Sequence, residues 1–323
     1  MIVVTGAAGF IGSCLTAKLN QLGRGDLIVV DHYDGDGDPK KRNLTGKKYQ
    51  RYYDKAEFLK LIRRDQFDFD VDCIFHMGAC SSTTLQDADY FEKNNFEYSM
   101  HVAQWALKNQ IRLIYASSAA TYGDGEQGYS DDETKIHCLK PLNLYGESKQ
   151  KFDQWVLGQG CQDRMAGLKF FNVYGPNEYH KGDMQSVVAK AYDRVSAQGT
   201  ISLFKSYKKE YADGGQKRDF IYVKDVLDVM IFFMQNPKIN GIFNLGTGQA
   251  RTWKDLAASL FAALGKTLHI DYIEMPDVLK SRYQYFTQAD ISKLRGAGYN
   301  KPFMSLEEAV KDYCGYLKNK TLM

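Results

Sequence analysis

A chain of 323 residues, 44% of them apolar and 25% charged, has the composition of a soluble globular protein. It is long enough for one large α/β domain or for a domain with a smaller partner. The 42 Lys and Arg against 39 Asp and Glu leave a formal charge of only +3. With the basic residues scattered along the chain, no nucleic-acid partner is expected, while small anions, which need only local charge, remain open. No apolar stretch reaches the length of a membrane span, and Met1 leads into a strand-like run without a basic leader. A cytoplasmic location with no membrane partner is therefore expected. The six cysteines include no CxxC pair and the six histidines no HExxH or mixed Cys/His spacing, so reduced thiols and no metal site are expected.

Residues 1–5 (MIVVT) read as a buried strand, followed by a glycine turn and an amphipathic helix with Ile11, Leu15, Leu19 and Leu22 on one stripe. Residues 27–31 (LIVVD) form a second apolar strand ending in a carboxylate, and residues 73–79 (CIFHMGA) and 112–116 (RLIYA) read as further strands. Between the last two, Phe91, Asn95, Tyr98, Val102 and Trp105 recur at helical spacing. A helix is expected from about residue 144 into residue 156, then a strand over 167–173 (GLKFFNV). Residues 176–217 are less regular and richer in charge, and read as a substrate-facing insertion; apolar strands return at 220–223 (FIYV) and 242–245 (IFNL). Strands apolar on both faces that alternate with helices specify an α/β fold, a doubly wound parallel sheet covered by helices. With no repeat or linker, two interleaved lobes are expected. Residues 1–172 with about 218–247 form the dinucleotide-binding domain, and 173–217 with 248–323 a smaller substrate-binding domain.

Gly6, Gly9 and Gly12 stand between the first strand and first helix in a GxxGxxG spacing. Glycines there let the backbone turn sharply and approach a pyrophosphate, whose charge rests on the helix N-terminus. Asp31 ends the second strand, where a carboxylate binds an adenosine ribose hydroxyl and favours NAD. Lys40, Lys41 and Arg42 follow, and either neutralise a 2′-phosphate, favouring NADP, or form a solvated loop. These residues leave NAD and NADP open. Gly78 and Ala79 either allow close approach of the adenosine–ribose side or make a simple turn.

Tyr145 and Lys149 (YGESK) share one face of a helix. The ammonium is expected to pull the phenol's pKa down, making Tyr145 an acid/base for a hydroxyl whose carbon gives or takes hydride. Upstream, residues 115–123 (YASSAATYG) read as a strand ending in hydroxyls. Ser118, preferred over Ser117, is placed to hydrogen-bond the reacting oxygen. No G-x-S-x-G elbow is present, which argues against a hydrolase. The intact Tyr145/Lys149 pair argues against a dinucleotide-sensing regulator without turnover.

Together GxxGxxG, SSAATYG, YGESK and residues 218–226 (RDFIYVKDV) resemble the extended short-chain dehydrogenase/reductase family of nucleotide-sugar epimerases and dehydratases, over most of the chain. A dehydratase carries an Asp-Glu pair after the strand-end serine or threonine, where this chain has Ala119 and Ala120. Longer strings at 76–84 (HMGACSSTT), 170–182 (FFNVYGPNEYHKG), 243–248 (FNLGTG) and 282–290 (RYQYFTQAD) resemble the branch acting on ADP-activated heptoses. The resemblance implies a Rossmann-type fold and one tightly bound NADP per subunit, with NAD as the alternative. It also implies epimerisation of an ADP-heptose for the lipopolysaccharide core, and a homopentamer.

By that resemblance Phe10, Ile11, Asp31, His32, Lys40, Lys55 and Asn94 line the cofactor. So do Met77, Gly78, Ala79, Cys80 and Ser81, together with Lys149 and Val173. Ser118 and Tyr145 meet the reacting hydroxyl, and Lys181, also against the cofactor, is the second acid/base. Asn172, Asp183, Lys190, Phe204, Lys205, Ser206, Tyr207, Arg218 and Tyr283 face the ADP-sugar. Met77, Asp183, His32 and the loop 33–48 depart from the family pattern. Arg218 has the planar fork that suits a diphosphate; the alternative is an ion pair with Asp219 or Asp225.

Overall fold

The computed structural model describes residues 1–280 and 283–323; Arg282, in the string at 282–290, lies outside the described residues. The principal elements begin β1 (Ile2–Thr5), α1 (Phe10–Gln21), β2 (Leu27–Asp31), β3 (Arg51–Asp54), α2 (Lys55–Arg63), β4 (Cys73–His76), α3 (Tyr98–Lys108), β5 (Arg112–Ser118), α4 (Leu144–Gly158) and β6 (Met165–Phe170). They continue β7 (Asn172–Tyr174), α5 (Val187–Gln198), β8 (Ile201–Phe204), β9 (Lys217–Tyr222), α6 (Val223–Gln235), β10 (Gly241–Leu245), β11 (Ala250–Thr252), α7 (Trp253–Ala263), β12 (Ile270–Ile273) and α8 (Leu306–Asn319). Among the described residues, no helix is long and apolar enough to cross a membrane.

Seven strands form the central sheet in the order β10-β6-β5-β4-β1-β2-β3, every pairing parallel. This is the expected doubly wound sheet. Alternation along each strand divides the apolar residues between two cores. Ile2, Val4, Leu27, Val29 and Phe75 face α1 and α6. Val3, Ile28, Val30, Ile74 and Leu113 face α3 and α4. The strand order reverses between β1 and β4, so their C-terminal ends open a crevice where ligands of such folds bind.

Two expectations change in a way that shapes the site. The strand expected over 167–173 breaks at Phe171, whose N–H bonds the Leu245 carbonyl at 3.1 Å. Beyond the break the chain leaves the central sheet, and β7 pairs with β9 in a three-stranded sheet ordered β11-β9-β7. The apolar strand expected at 220–223 thus belongs to this small sheet, while β10 returns to the central one beside β6. The stripe on α1 is shorter than expected: the helix ends at Gln21 and Leu22 is 49% exposed, because the left-handed Gly23 turns the chain away. The helix expected around Phe91 to Trp105 is interrupted by a π-helical turn at Glu92–Glu97, a distortion that often marks functional sites.

Candidate active site

At the crevice the two glycine turns meet. Gly6 has φ +65°, and a Cβ on it would lie 2.7 Å from the Gly78 Cα. A Cβ on Gly12 would lie 2.1 Å from the Gly6 carbonyl oxygen, so only glycine lets α1 begin this close to β1. No side chain caps α1 at Gly9, leaving its first N–H groups for an anion. A bare helix N-terminus, two touching glycine turns and a cleft along the strand ends fit a dinucleotide.

That cleft, of about 790 Å³, is lined by Gly6, Gly9, Phe10, Ile11, Gly12, Asp31, His32, Lys40, Lys55 and Asn94. Met77, Gly78, Ala79, Cys80, Ser81, Ser118, Tyr145, Lys149, Asn172, Val173, Lys181, Asp183 and Lys190 line it too. Every residue expected at the cofactor or the reacting carbon is therefore on one continuous wall.

At its adenosine edge, the Asp31 carboxylate accepts the Ala8 and His32 N–H groups, each at 2.7 Å. Lys40 donates to the His32 carbonyl at 2.5 Å, with its ammonium 3.4 Å from Asp31 and 3.6 Å from Asp38. Of the basic triplet only Lys40 lines the cleft; Lys41 pairs with Asp36 and Arg42 donates to the Lys320 carbonyl. Lys55 donates to Asn94 at 2.8 Å. The π-helical turn aims the neighbouring Asn95 at the strand-end loop, where it bonds the N–H and the carbonyl of Cys80 and the Ser148 hydroxyl.

At the chemical end, the Ser118 hydroxyl lies beside Tyr145, and Lys149, 6% exposed, donates to the Ala116 carbonyl at 2.7 Å. The expected pKa order is corrected here. Burial pushes the Tyr145 phenol up, opposed by the Ser118 hydroxyl. Burial brings Lys149 down to about 8, opposed by the Asp153 carboxylate. Spacing alone could not show this, because desolvation of the phenol depends on walls that other segments contribute. Ser117 turns away from the cleft to donate to Asp153 at 2.7 Å, which leaves Ser118 as the one of the two that lines the cleft.

Lys181 follows β7, with its ammonium 5.1 Å over the Phe10 ring. Burial lowers its pKa, offset in part by Glu178. Glu178 closes the base of this loop. Its carboxylate, fully buried, accepts the Gly175 N–H, the Ser186 N–H and hydroxyl, and the Tyr313 hydroxyl. Asp183 and Lys190 are exposed at the loop's far side, Lys190 donating to the Asp183 carbonyl at 3.0 Å.

The outer substrate residues form an adjoining patch rather than the cleft wall. Arg218, 7% exposed, lies 5.8 Å from the Trp253 ring and 5.2 Å from the Tyr283 ring, with Phe204 edge-on to Tyr283. The alternative ion pair is not formed. Asp219 is spent on the N–H groups of Thr247, Gly248 and Ala289, and Asp225 accepts the Met304 N–H. Lys205 and Tyr207 both bond Glu274 beyond β12, and the Ser206 hydroxyl donates to the Lys208 carbonyl, so these three are engaged with other groups of the protein. Sequence reasoning missed Trp253, His180, Gln284 and Thr287, which line the cleft. His180 and Thr287 lay inside strings already singled out, as did Gln284; Trp253 carried no local signal.

The chain matches the NAD dependent epimerase/dehydratase family over residues 2–246. It belongs to that family. Among its relatives, the ADP-L-glycero-D-manno-heptose-6-epimerase of Nitratidesulfovibrio vulgaris is 50% identical over 313 residues, covering 97% of this chain and 96% of the relative. The enzyme of that name from Fusobacterium nucleatum is 46% identical, again over 97% and 96%. The crystal structure of Helicobacter pylori ADP-L-glycero-D-manno-heptose-6-epimerase superposes with a TM-score of 0.82 at 29% identity, covering 98% of this chain and 96% of that one. The chain is thus an enzyme of the epimerase class, an isomerase.

Proposed function

We propose that this protein interconverts ADP-D-glycero- and ADP-L-glycero-D-manno-heptose at C6″. The observation that carries the reading is the single cleft that joins the glycine crevice to Ser118, Tyr145, Lys149 and Lys181. The names of relatives at 46–50% identity support the sugar. Inversion at an unactivated carbinol carbon needs a planar stage between two hydride transfers. Bound nicotinamide dinucleotide supplies a hydride acceptor that gives back what it takes. Tyr145, beside Ser118, takes the C6″ hydroxyl proton as the carbon is oxidised, which requires the phenolate that burial disfavours. Lys149, one helical turn on and lining the same cleft, is placed to favour that phenolate, and its pKa of about 8 keeps it substantially charged near neutrality. Lys181 handles the proton on the opposite face, its lowered pKa suiting it to that exchange. Arg218, with no carboxylate partner among the described residues and set beside the Trp253 and Tyr283 rings, binds the diphosphate.

NADP is proposed over NAD because Lys40 offsets the charge of Asp31, whose oxygens are already committed to backbone N–H groups. A homopentamer, a cytoplasmic location and a role in the lipopolysaccharide core follow from the resemblance of the longer strings. The proposed division into a cofactor lobe (residues 1–172 and about 218–247) and a substrate lobe rests on the order of strands and helices along the chain. Incubating the protein with ADP-D-glycero-D-manno-heptose and following the C6″ configuration by NMR tests the reading. Appearance of the L-glycero epimer without added cofactor is expected. A sugar recovered unchanged, with cofactor supplied, sinks it.

A further inference from the structure

Ser118, Tyr145 and Lys149 lie on two elements, the end of β5 and α4, and a pair of buried charges ties these together from behind. Asp153 and Lys169 form a 2.7 Å ion pair with both side chains 0% exposed. The Asp153 oxygen that meets Lys169 also accepts the Ser117 hydroxyl at 2.7 Å, and its other oxygen accepts the Tyr115 hydroxyl at 3.1 Å. The Lys169 ammonium also donates to the Thr121 hydroxyl at 2.8 Å, and that hydroxyl donates to the Ser118 carbonyl at 2.8 Å. Asp153 stands one helical turn beyond Lys149 and two beyond Tyr145, so a single carboxylate joins α4, β5 and β6 directly under the reacting groups. For stability alone, apolar residues of similar volume serve as well as a buried ion pair.

We propose that Asp153 and Lys169 are a positioning pair for the reaction. They fix α4 against β5 so that Ser118, Tyr145 and Lys149 converge, and they keep an anion behind the Lys149 ammonium. Lys149 is faced by Asp153 from its own helix, by neutral His76 from β4, by the Ala116 carbonyl from β5 and by Tyr145. Asp153 is faced by Lys149, by Lys169 from β6, and by Tyr115 and Ser117 from β5, with Glu133 acting on Tyr115 from further away.

The proposal rests on the reading of Tyr145 and Lys149 as the reacting pair, and two variants test it. Asp153→Asn keeps the size and an acceptor for Ser117 but removes the anion. Its kcat is expected to fall about 10- to 100-fold with KM little changed, and Lys149, followed by NMR of lysine-labelled protein, to titrate about one pH unit lower. The double variant Asp153→Leu/Lys169→Met removes both charges at similar volume. It is expected to melt above Asp153→Asn yet to stay at least about tenfold slow, and it decides the question where the single variant does not fold. Wild-type kcat in the double variant, or wild-type kcat and Lys149 titration in Asp153→Asn, overturns the proposal. A wild-type protein that leaves the heptose untouched defeats the functional reading instead, and the Lys149 titration still reports on the pair.

Discussion

Lys149 titrates near the top of the physiological range, at about 8, because burial opposes its charge. Since the protonated ammonium is the form that steadies the Tyr145 phenolate, turnover is expected to hold below that pH and to decline above it. A kcat profile that stays flat from pH 7 to 9.5 would remove Lys149 from the chemistry. Tyr145→Phe and Lys181→Met should each fold, bind dinucleotide and lose about 10²- to 10⁴-fold in epimerisation, read by NMR of the sugar; near-normal turnover in either excludes that residue. Arg218→Lys keeps a charge but loses the planar fork between Trp253 and Tyr283. It should raise KM for the ADP-sugar by about tenfold while leaving cofactor affinity alone. At this scale the residue types were legible in the sequence: YxxxK places two side chains on one face wherever a helix forms. The direction of the Tyr145 pKa was not, because desolvation depends on walls contributed by distant segments. Nor was the freedom of Arg218, whose adjacent Asp219 proves to be consumed by backbone N–H groups.

Elements were legible where burial was two-sided. β1, β2 and β4 read as apolar runs because both faces are covered, and α4 followed from its motif. The short strands outside the central sheet, β8, β11 and β12, carry mixed residues and were not foreseen. The break at Phe171 was hidden inside a largely apolar run, since only the pairing of the following residues with the distant β9 takes the chain out of the central sheet. The glycine turn allows a direct test of element placement. Gly12→Ala forces a methyl against the Gly6 carbonyl oxygen, so α1 must shift from β1. Dinucleotide affinity should fall more than tenfold by calorimetry, a loss of more than about 1.4 kcal/mol, with a smaller loss in melting temperature. Unaltered affinity would show that the turn tolerates relaxation. The Lys181 loop depends likewise on Glu178, whose four bonds join both loop ends to α8. Glu178→Ala should cost about 2–4 kcal/mol by leaving buried N–H groups unpaired, and should speed hydrogen exchange across residues 179–186.

Across the whole molecule, His76 makes stability depend on pH. It is 2% exposed, between Thr5 at 2.7 Å and Ser99 at 2.8 Å, and burial lowers its pKa from 6.5 to about 3. Between those values the unfolded chain binds a proton that the folded one refuses, so stability rises with pH. Acidification below about 6.5 should weaken the fold by up to about 1.4 kcal/mol per pH unit from this group. Melting curves from pH 7 to 5 check this, and His76→Gln should flatten the slope. The overall α/β layering was legible from alternation of strands and helices, whereas the weaving of the chain between the central and the small sheets was only outlined. That weaving has a consequence for how the protein is made. The edge of β6 receives its neighbour, β10, only after residues 171–240 have been synthesised. A nascent chain emerging from the ribosome therefore carries an uncovered apolar strand edge through much of its elongation, the kind of surface that recruits other chains. Stalled or prematurely terminated products ending before residue 241 should depend on chaperones and gather in inclusion bodies.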